Sequence, residues 1–215
     1  MNRILLLLVV VTGFIGGSPR VHAQARGEPA RLQASGRAAT SVCISNQCRM
    51  TDTSAHTILI EYGQAHARGR EVWGTLVPLD SVWRLGANSA THLITKVPIT
   101  FGTTTIPVGK YALHLLPTAS GGQLIVNNAT EVWGTPYAGA ARDRARIPMR
   151  SRTLTENIES LSITLIPNSA TGNSGVLSIM WGQREFLVDW TARMPVSQSS
   201  VGVSSGPEQP RRLEE

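Results

Sequence analysis

Hydrophobic and polar positions alternate over much of the chain between residues 43 and 193. Ile58, Ile60 and Tyr62 fall on one side of such a stretch, with Thr57 and Glu61 on the other. The same period of two sets Tyr111, Leu113 and Leu115 against Lys110, Ala112 and His114. It also sets Leu161, Ile163 and Leu165 against Ser160, Ser162 and Thr164. Leu177, Ile179 and Trp181 alternate with Ser178 and Met180, and Phe186, Val188 and Trp190 alternate with Leu187 and Asp189. Antiparallel strands with one face on a core and one in water produce this pattern. Gly182-Gln183 stands between the last two stretches, and a leading glycine is what a two-residue type II′ hairpin turn requires. Ser120-Gly121-Gly122 supplies a second turn, between strands expected at 109–117 and 122–128. Prolines 98, 107, 117, 136, 148 and 167 punctuate the rest. No long amphipathic helix is evident, and residues 70–77 leave room for a single helical turn. The expected fold is all-β, an antiparallel sandwich of about eight or more strands.

The two ends break the pattern. Arg3 followed by the apolar run Ile4–Ile15 and by Val21-His22-Ala23 reads as a secretory signal over residues 1–23. Cleavage is expected after Ala23, with Ala25 as the alternative. The run is too short to span a bilayer comfortably as an uncleaved anchor, and no later segment is apolar enough to cross. Residues 24–42 are Ala, Arg, Gly, Ser and Gln without a period, and are expected to be a flexible leader. Residues 194–215 read as a disordered tail. The folded domain is thus expected over 43–193, long enough to bury a proper core. The localisation that follows is export to the periplasm or the extracellular space.

In an oxidising compartment the two cysteines, Cys43 and Cys48, are expected to form a disulfide closing a short loop. The formal charge is +6. Removing the signal takes Arg3 and Arg20 with it and leaves +4, too moderate to imply nucleic acid. Eighteen of the twenty basic residues are arginine, only Lys96 and Lys110 being lysine. Arg142, Arg144, Arg146, Arg150 and Arg152 all fall on even positions. They predict a basic stripe, either an anion-binding face or a solvated edge strand protected by charge and Pro148. No aromatic residues interleave with them, which argues against stacking on nucleic-acid bases.

The stretch 68–91 carries the most information. Arg68-Gly69-Arg70, Trp73-Gly74, Leu76-Val77-Pro78 and above all Val82-Trp83-Arg84-Leu85-Gly86-Ala87-Asn88 with Ala90-Thr91 resemble the bacterial domain-of-unknown-function 2911 family. Pro107-Val108-Gly109-Lys110-Tyr111-Ala112-Leu113, Pro117, Leu124-Ile125-Val126-Asn127, Trp133-Gly134 and Trp181 continue the likeness over about 50–193. The resemblance implies an exported bacterial protein with a β-rich domain, and implies no activity. The chain departs from the family pattern at Gln64-Ala65, where Arg-Pro is usual, and at Ser89, where Glu is usual. Loss of that Glu weakens an enzymatic reading.

Residue chemistry points to a candidate ligand-binding set of Arg70, Trp83, Arg84, Asn88 and Thr91. Trp83 offers a broad apolar face with one N–H. Arg84 offers a planar fork suited to carboxylate or phosphate. Asn88 offers donors and an acceptor, and Gly86 allows a sharp turn. Such residues build small polar pockets floored by an aromatic ring, as carbohydrate and anion sites do. The alternative is a rigid loop in which Arg84 pairs with Glu61, Glu71 or Asp80 and Asn88 holds a turn.

Catalytic and metal chemistry find little support. No His-Glu-x-x-His motif and no ligand-spaced histidines occur among His56, His66, His92 and His114. There is no nucleophile elbow and no phosphate-cradling glycine loop. No catalytic residue, metal or cofactor is therefore expected. The sequence supports a non-catalytic binding or structural module of the bacterial cell envelope, taking a carbohydrate, an anionic ligand or an envelope component. A small envelope enzyme acting on a sugar or cell-wall fragment through Trp83, Arg84 and Asn88 is the alternative.

Overall fold

The computed structural model describes residues 35–44, 56–131, 137–168, 170 and 172–193. The expected signal, Cys48, Trp133-Gly134 and the expected tail lie outside them. No described helix is long and apolar enough to cross a membrane.

Nine strands follow one another along the chain: β1 Arg37–Cys43, β2 Thr57–Gly63, β3 Thr91–Thr95, β4 Ile99–Phe101, β5 Thr104–Ile106, β6 Gly109–Pro117, β7 Gly121–Asn127, β8 Asp143–Pro167 and β9 Ser174–Ala192. They pair antiparallel in the order β1-β2-β3-β6-β7-β8-β9-β4-β5. The all-β antiparallel expectation holds, and the pairing joins all nine strands into one sheet. The residues that alternation placed inside, from Ile58, Ile60 and Tyr62 to Phe186, Val188 and Trp190, line a single core. The turn at 118–120 joins β6 to β7 as expected.

The sheet folds back on itself through its two long strands. Between Thr153 and Ser162, nine residue steps of β8 face only the four steps from Met180 to Arg184 of β9. The surplus on β8 bulges outward, and bulges bend a strand and sharpen its twist. The bulged stretch meets the chain just beyond β2. Leu161 N–H donates to the Ala65 carbonyl, Ala67 N–H donates to the Glu159 carbonyl, and His66 bridges to Ser160. Further along β8, Ile163 N–H donates to the Tyr62 hydroxyl and Leu165 N–H to Thr40 Oγ1.

Three expectations are corrected. Gly182-Gln183 is no hairpin turn: β9 runs through it, and Gly182 (φ 56°) is the bend at which the buried face changes phase. The hairpin linking β8 to β9 lies at 168–173, where Asn168 N–H donates to the Ser174 carbonyl. Residues 37–42 of the expected leader are strand β1, so the domain starts before residue 43. Residues 70–77 form turns, with no helix. The arginine stripe is exposed as expected: β8 pairs with β7 over 143–150 and with β9 only from Arg150 onward, so along 143–149 no described strand pairs with its second side.

Gly63 marks where backbone must approach closely. A Cβ on Gly63 would lie 1.7 Å from the Ala87 carbonyl oxygen, whereas one on Gly36 would meet nothing within 4 Å. Gly63→Ala is expected to lose roughly 1–3 kcal/mol through overpacking, and Gly36→Ala to stay within about 0.5 kcal/mol of the parent. Urea unfolding of both variants checks this, and equal midpoints would show that the Gly63–Ala87 contact is not tight.

Candidate functional site

The connection between β2 and β3, residues 64–90, closes over the bend in β9. It contributes Ala67, Val72, Val77 and Leu85 to the core. Trp83 exchanges two backbone hydrogen bonds with Leu115 of β6, at 2.8 and 2.9 Å, and so extends the sheet where β3 stops. Ala87 N–H donates to the Gly63 carbonyl (2.9 Å). All four non-glycine residues with positive φ among the described residues, Arg68, Asp80, Leu85 and Asn88, lie in this connection. Left-handed backbone at such residues persists only where surroundings enforce it, and it gathers at functional loops. At Leu85 the enforcement is burial of the whole side chain.

Tryptophans from three places converge here. Trp83 stacks on Trp181 of β9, with centroids 5.4 Å apart and planes 19° from parallel. Trp73 stands edge-on to both, and to Phe186 at 5.0 Å. The Trp73 indole N–H donates to the Trp181 carbonyl (2.7 Å), and that of Trp181 to the Glu159 carbonyl (3.1 Å).

Beside Trp83 and Trp181 opens a cleft of about 280 Å³, rimmed by His66, Arg68, Arg70 and Arg84. Arg84 Nε donates to the Gly86 carbonyl (3.1 Å), leaving the Nη groups for other acceptors. Arg70 donates from Nε to the Ala67 carbonyl and from Nη2 to the His66 carbonyl. Among the described residues no carboxylate pairs with Arg70 or Arg84. The expected alternative, in which Glu61, Glu71 or Asp80 neutralises Arg84, is therefore not the arrangement found. Glu61 pairs with Arg37 (3.4 Å) and His92 (3.3 Å), and Glu71 accepts from Thr75. No Asp or Glu is among the cleft's lining residues. The arrangement can hold a planar anion against an aromatic wall.

The five candidate residues divide. Arg70, Trp83 and Arg84 line the cleft. Asn88 is exposed, adopts φ 60°, and donates to the Ser35 carbonyl (3.1 Å). Thr91 is fully buried and donates to the Leu85 carbonyl (2.7 Å). Asn88 and Thr91 hold the loop. Gly86 takes no positive φ; it is needed for space, since a Cβ there would meet Thr91 Oγ1 at 2.9 Å and the Gly63 carbonyl oxygen at 3.0 Å. His66 and Trp181 join the cleft from β2's extension and from β9, a placement that local sequence does not signal.

A second titratable cluster lies across the strands β6, β7 and β8. The Asp143 carboxylate accepts from Asn127, Tyr137 and Arg146. Burial pushes its carboxyl up, but those hydrogen bonds and the Arg146 charge outweigh it and hold the group below the ordinary carboxylate range. His114 is buried edge-on to Tyr137, with no hydrogen-bond partner on Nδ1. Burial lowers its pKa and the Asp143 charge only partly offsets that. Among the described residues no group of three or more His, Cys, Asp or Glu could hold a metal.

A family model described as "Protein of unknown function (DUF2911)" matches residues 45–189. No curated protein and no solved structure matches the chain.

Two outcomes are expected from these contacts. Thr91→Val leaves the Leu85 carbonyl buried and unpaired and should lose roughly 1–3 kcal/mol. Asn88→Gly keeps the left-handed turn and should stay within about 0.5 kcal/mol of the parent. Urea unfolding separates the two, and equal losses would contradict these roles. The His114 shift sets a pH dependence. A histidine with a depressed folded pKa takes up protons on unfolding, so stability falls as pH drops below about 6.5 and levels off beneath the folded pKa. The fall in Tm between pH 7.5 and 5 should be smaller in His114→Phe, and an unchanged fall would assign it to other groups.

Proposed function

The chain belongs to the DUF2911 family of proteins of unknown function, and from that premise we propose that it is a non-catalytic binding module of the bacterial cell envelope. Its ligand is a small anionic sugar held in the Trp83 cleft. The observation that carries this reading is the pairing of an aromatic wall, Trp83 on Trp181, with two guanidinium groups that no described carboxylate neutralises. The wall offers a flat apolar face to the C–H side of a sugar ring, and a guanidinium fork matches a carboxylate or phosphate. The absence of Asp or Glu from the lining favours binding over hydrolysis, which uses paired carboxylates.

Export belongs to the proposal and rests on the pattern of residues 1–23. So does a Cys43–Cys48 disulfide, with Cys43 at the end of β1. N-terminal sequencing of the secreted protein should begin at Gln24, and its intact mass should rise by about two protons' worth on reduction. An N-terminus at Met1 on intracellular protein would overturn the export reading.

Thermal unfolding in galacturonate or glucuronate tests the site. A ligand at about a hundred times its dissociation constant adds roughly 2.7 kcal/mol. The shift should appear with the uronates, be absent with neutral hexoses, and disappear in Arg84→Gln. An equal shift with neutral sugars, or one that survives Arg84→Gln, would refute the anionic site.

A further inference from the structure

The Trp83 cleft does not end at Arg70. Arg70 also lines a second, larger cleft of about 550 Å³ on the other side of the aromatic cluster. Its walls are Trp73, Thr153, Asn157, Gln183 and Arg184, the bulge of β8 on one side and the bend of β9 on the other. Hydroxyl, amide, indole and guanidinium groups are the chemistry that contacts a sugar chain.

Arg184 is the telling residue. It is partly buried, and burial lowers its pKa. Its guanidinium lies over Phe186 (4.7 Å) and Trp73 (5.9 Å). Nη2 donates to the Thr118 carbonyl (2.9 Å) and to Ser151 Oγ (3.0 Å). Among the described residues no carboxylate pairs with it. A cation held in part out of water with only neutral hydrogen-bond partners attracts an anion. The carboxylate that does line this cleft, Glu71, is exposed, accepts from Thr75 and makes no ion pair to Arg184.

We propose that the two clefts form one continuous groove for an acidic oligosaccharide, with one charged unit at Arg84 and Arg70 and a further charged unit at Arg184. This rests on the reading of the Trp83 cleft as an anionic sugar site and names the class of its ligand: a chain carrying repeated negative charges. Linking two subsites makes the second contact intramolecular, so affinity rises far more than the added contacts alone would give.

Calorimetric titration of the intact protein with galacturonate and with its trimer and hexamer tests the groove. The trimer should bind at least tenfold more tightly than the monomer, and its affinity should fall more steeply with salt. Arg184→Gln is the direct variant but gives up structural hydrogen bonds. Gln183→Glu is exposed, adds a like charge to the second cleft alone, and should return the trimer to monomer affinity while leaving the monomer unaffected. If the monomer binds and longer chains bind no better, the groove is refuted and the single site stands. If Gln183→Glu leaves the trimer's advantage intact, the groove is refuted too. If no uronate of any length binds, both readings fall together.

Discussion

At Gly182 the chain passes through a left-handed residue with little room for a side chain. A Cβ there would lie 3.1 Å from Val72 Cβ and 3.5 Å from the Trp73 indole nitrogen. That approach seats the β2–β3 connection on the bend of β9, and the Trp73 N–H bond to the Trp181 carbonyl fixes it there. Much else depends on this contact. The bend reverses which side of β9 faces the core, so that Trp181 and Phe186 both point inward although five residues separate them. It brings Trp181 under Trp83 and sets Trp73 across both, which creates the walls of both clefts. A side chain at 182 would be strained by the left-handed backbone and would press on Val72, against which the connection is seated.

The arginines sort by their surroundings. Arg37, Arg146, Arg150 and Arg152 each meet a carboxylate. The Arg37–Glu61 and Arg150–Asp189 pairs are exposed and contribute little to stability, whereas the Asp143 carboxylate that Arg146 meets is largely covered. Arg152 differs in its partner, since Glu185 is buried and also accepts from Ser178 across the bend of β9. Removing Arg152 would leave this buried carboxylate without its counter-charge. Arg70, Arg84 and Arg184 are different: they lie around the aromatic cluster and are balanced by carbonyls and ring faces. Carbonyls satisfy guanidinium donors but leave the positive charge uncancelled. The net charge of the chain therefore says less than its placement does.

Period two exposed most of the strands, because each buries one face. It does not distinguish a bulge from a turn. Both reset the phase, and glycine suits both, which is why Gly182-Gln183 reads as a hairpin from local pattern alone. Strand β1 escaped notice because Arg37-Ala38-Ala39-Thr40-Ser41 carries small residues whose inward side is only half-buried. The site was legible where its chemistry is local, at Arg70, Trp83 and Arg84. It was not legible at His66, Trp181 and Arg184. His66 reaches the cleft through the β8 bulge, and Trp181 and Arg184 through the bend of β9; neither feature can be read from neighbouring residues.

The Trp-Arg-Leu-Gly-Ala-Asn stretch thus does two kinds of work in one loop. Leu85, Gly86, Ala87, Asn88 and Thr91 are bound to the scaffold: burial, close packing on Gly63, and hydrogen bonds to Ser35 and Leu85 fix their backbone. Trp83 and Arg84 are the part that this backbone presents to the cleft. A cleft-facing pair held this way is pre-organised, and whatever docks there would spend little energy on ordering it. It also follows that the stability of the loop and the chemistry of the cleft's rim are separable here. Substitutions at Gly86 or Thr91 act on the fold, through Gly63 and Leu85. A change confined to the Arg84 Nη groups alters the rim of the cleft and not the loop, which Arg84 braces through Nε.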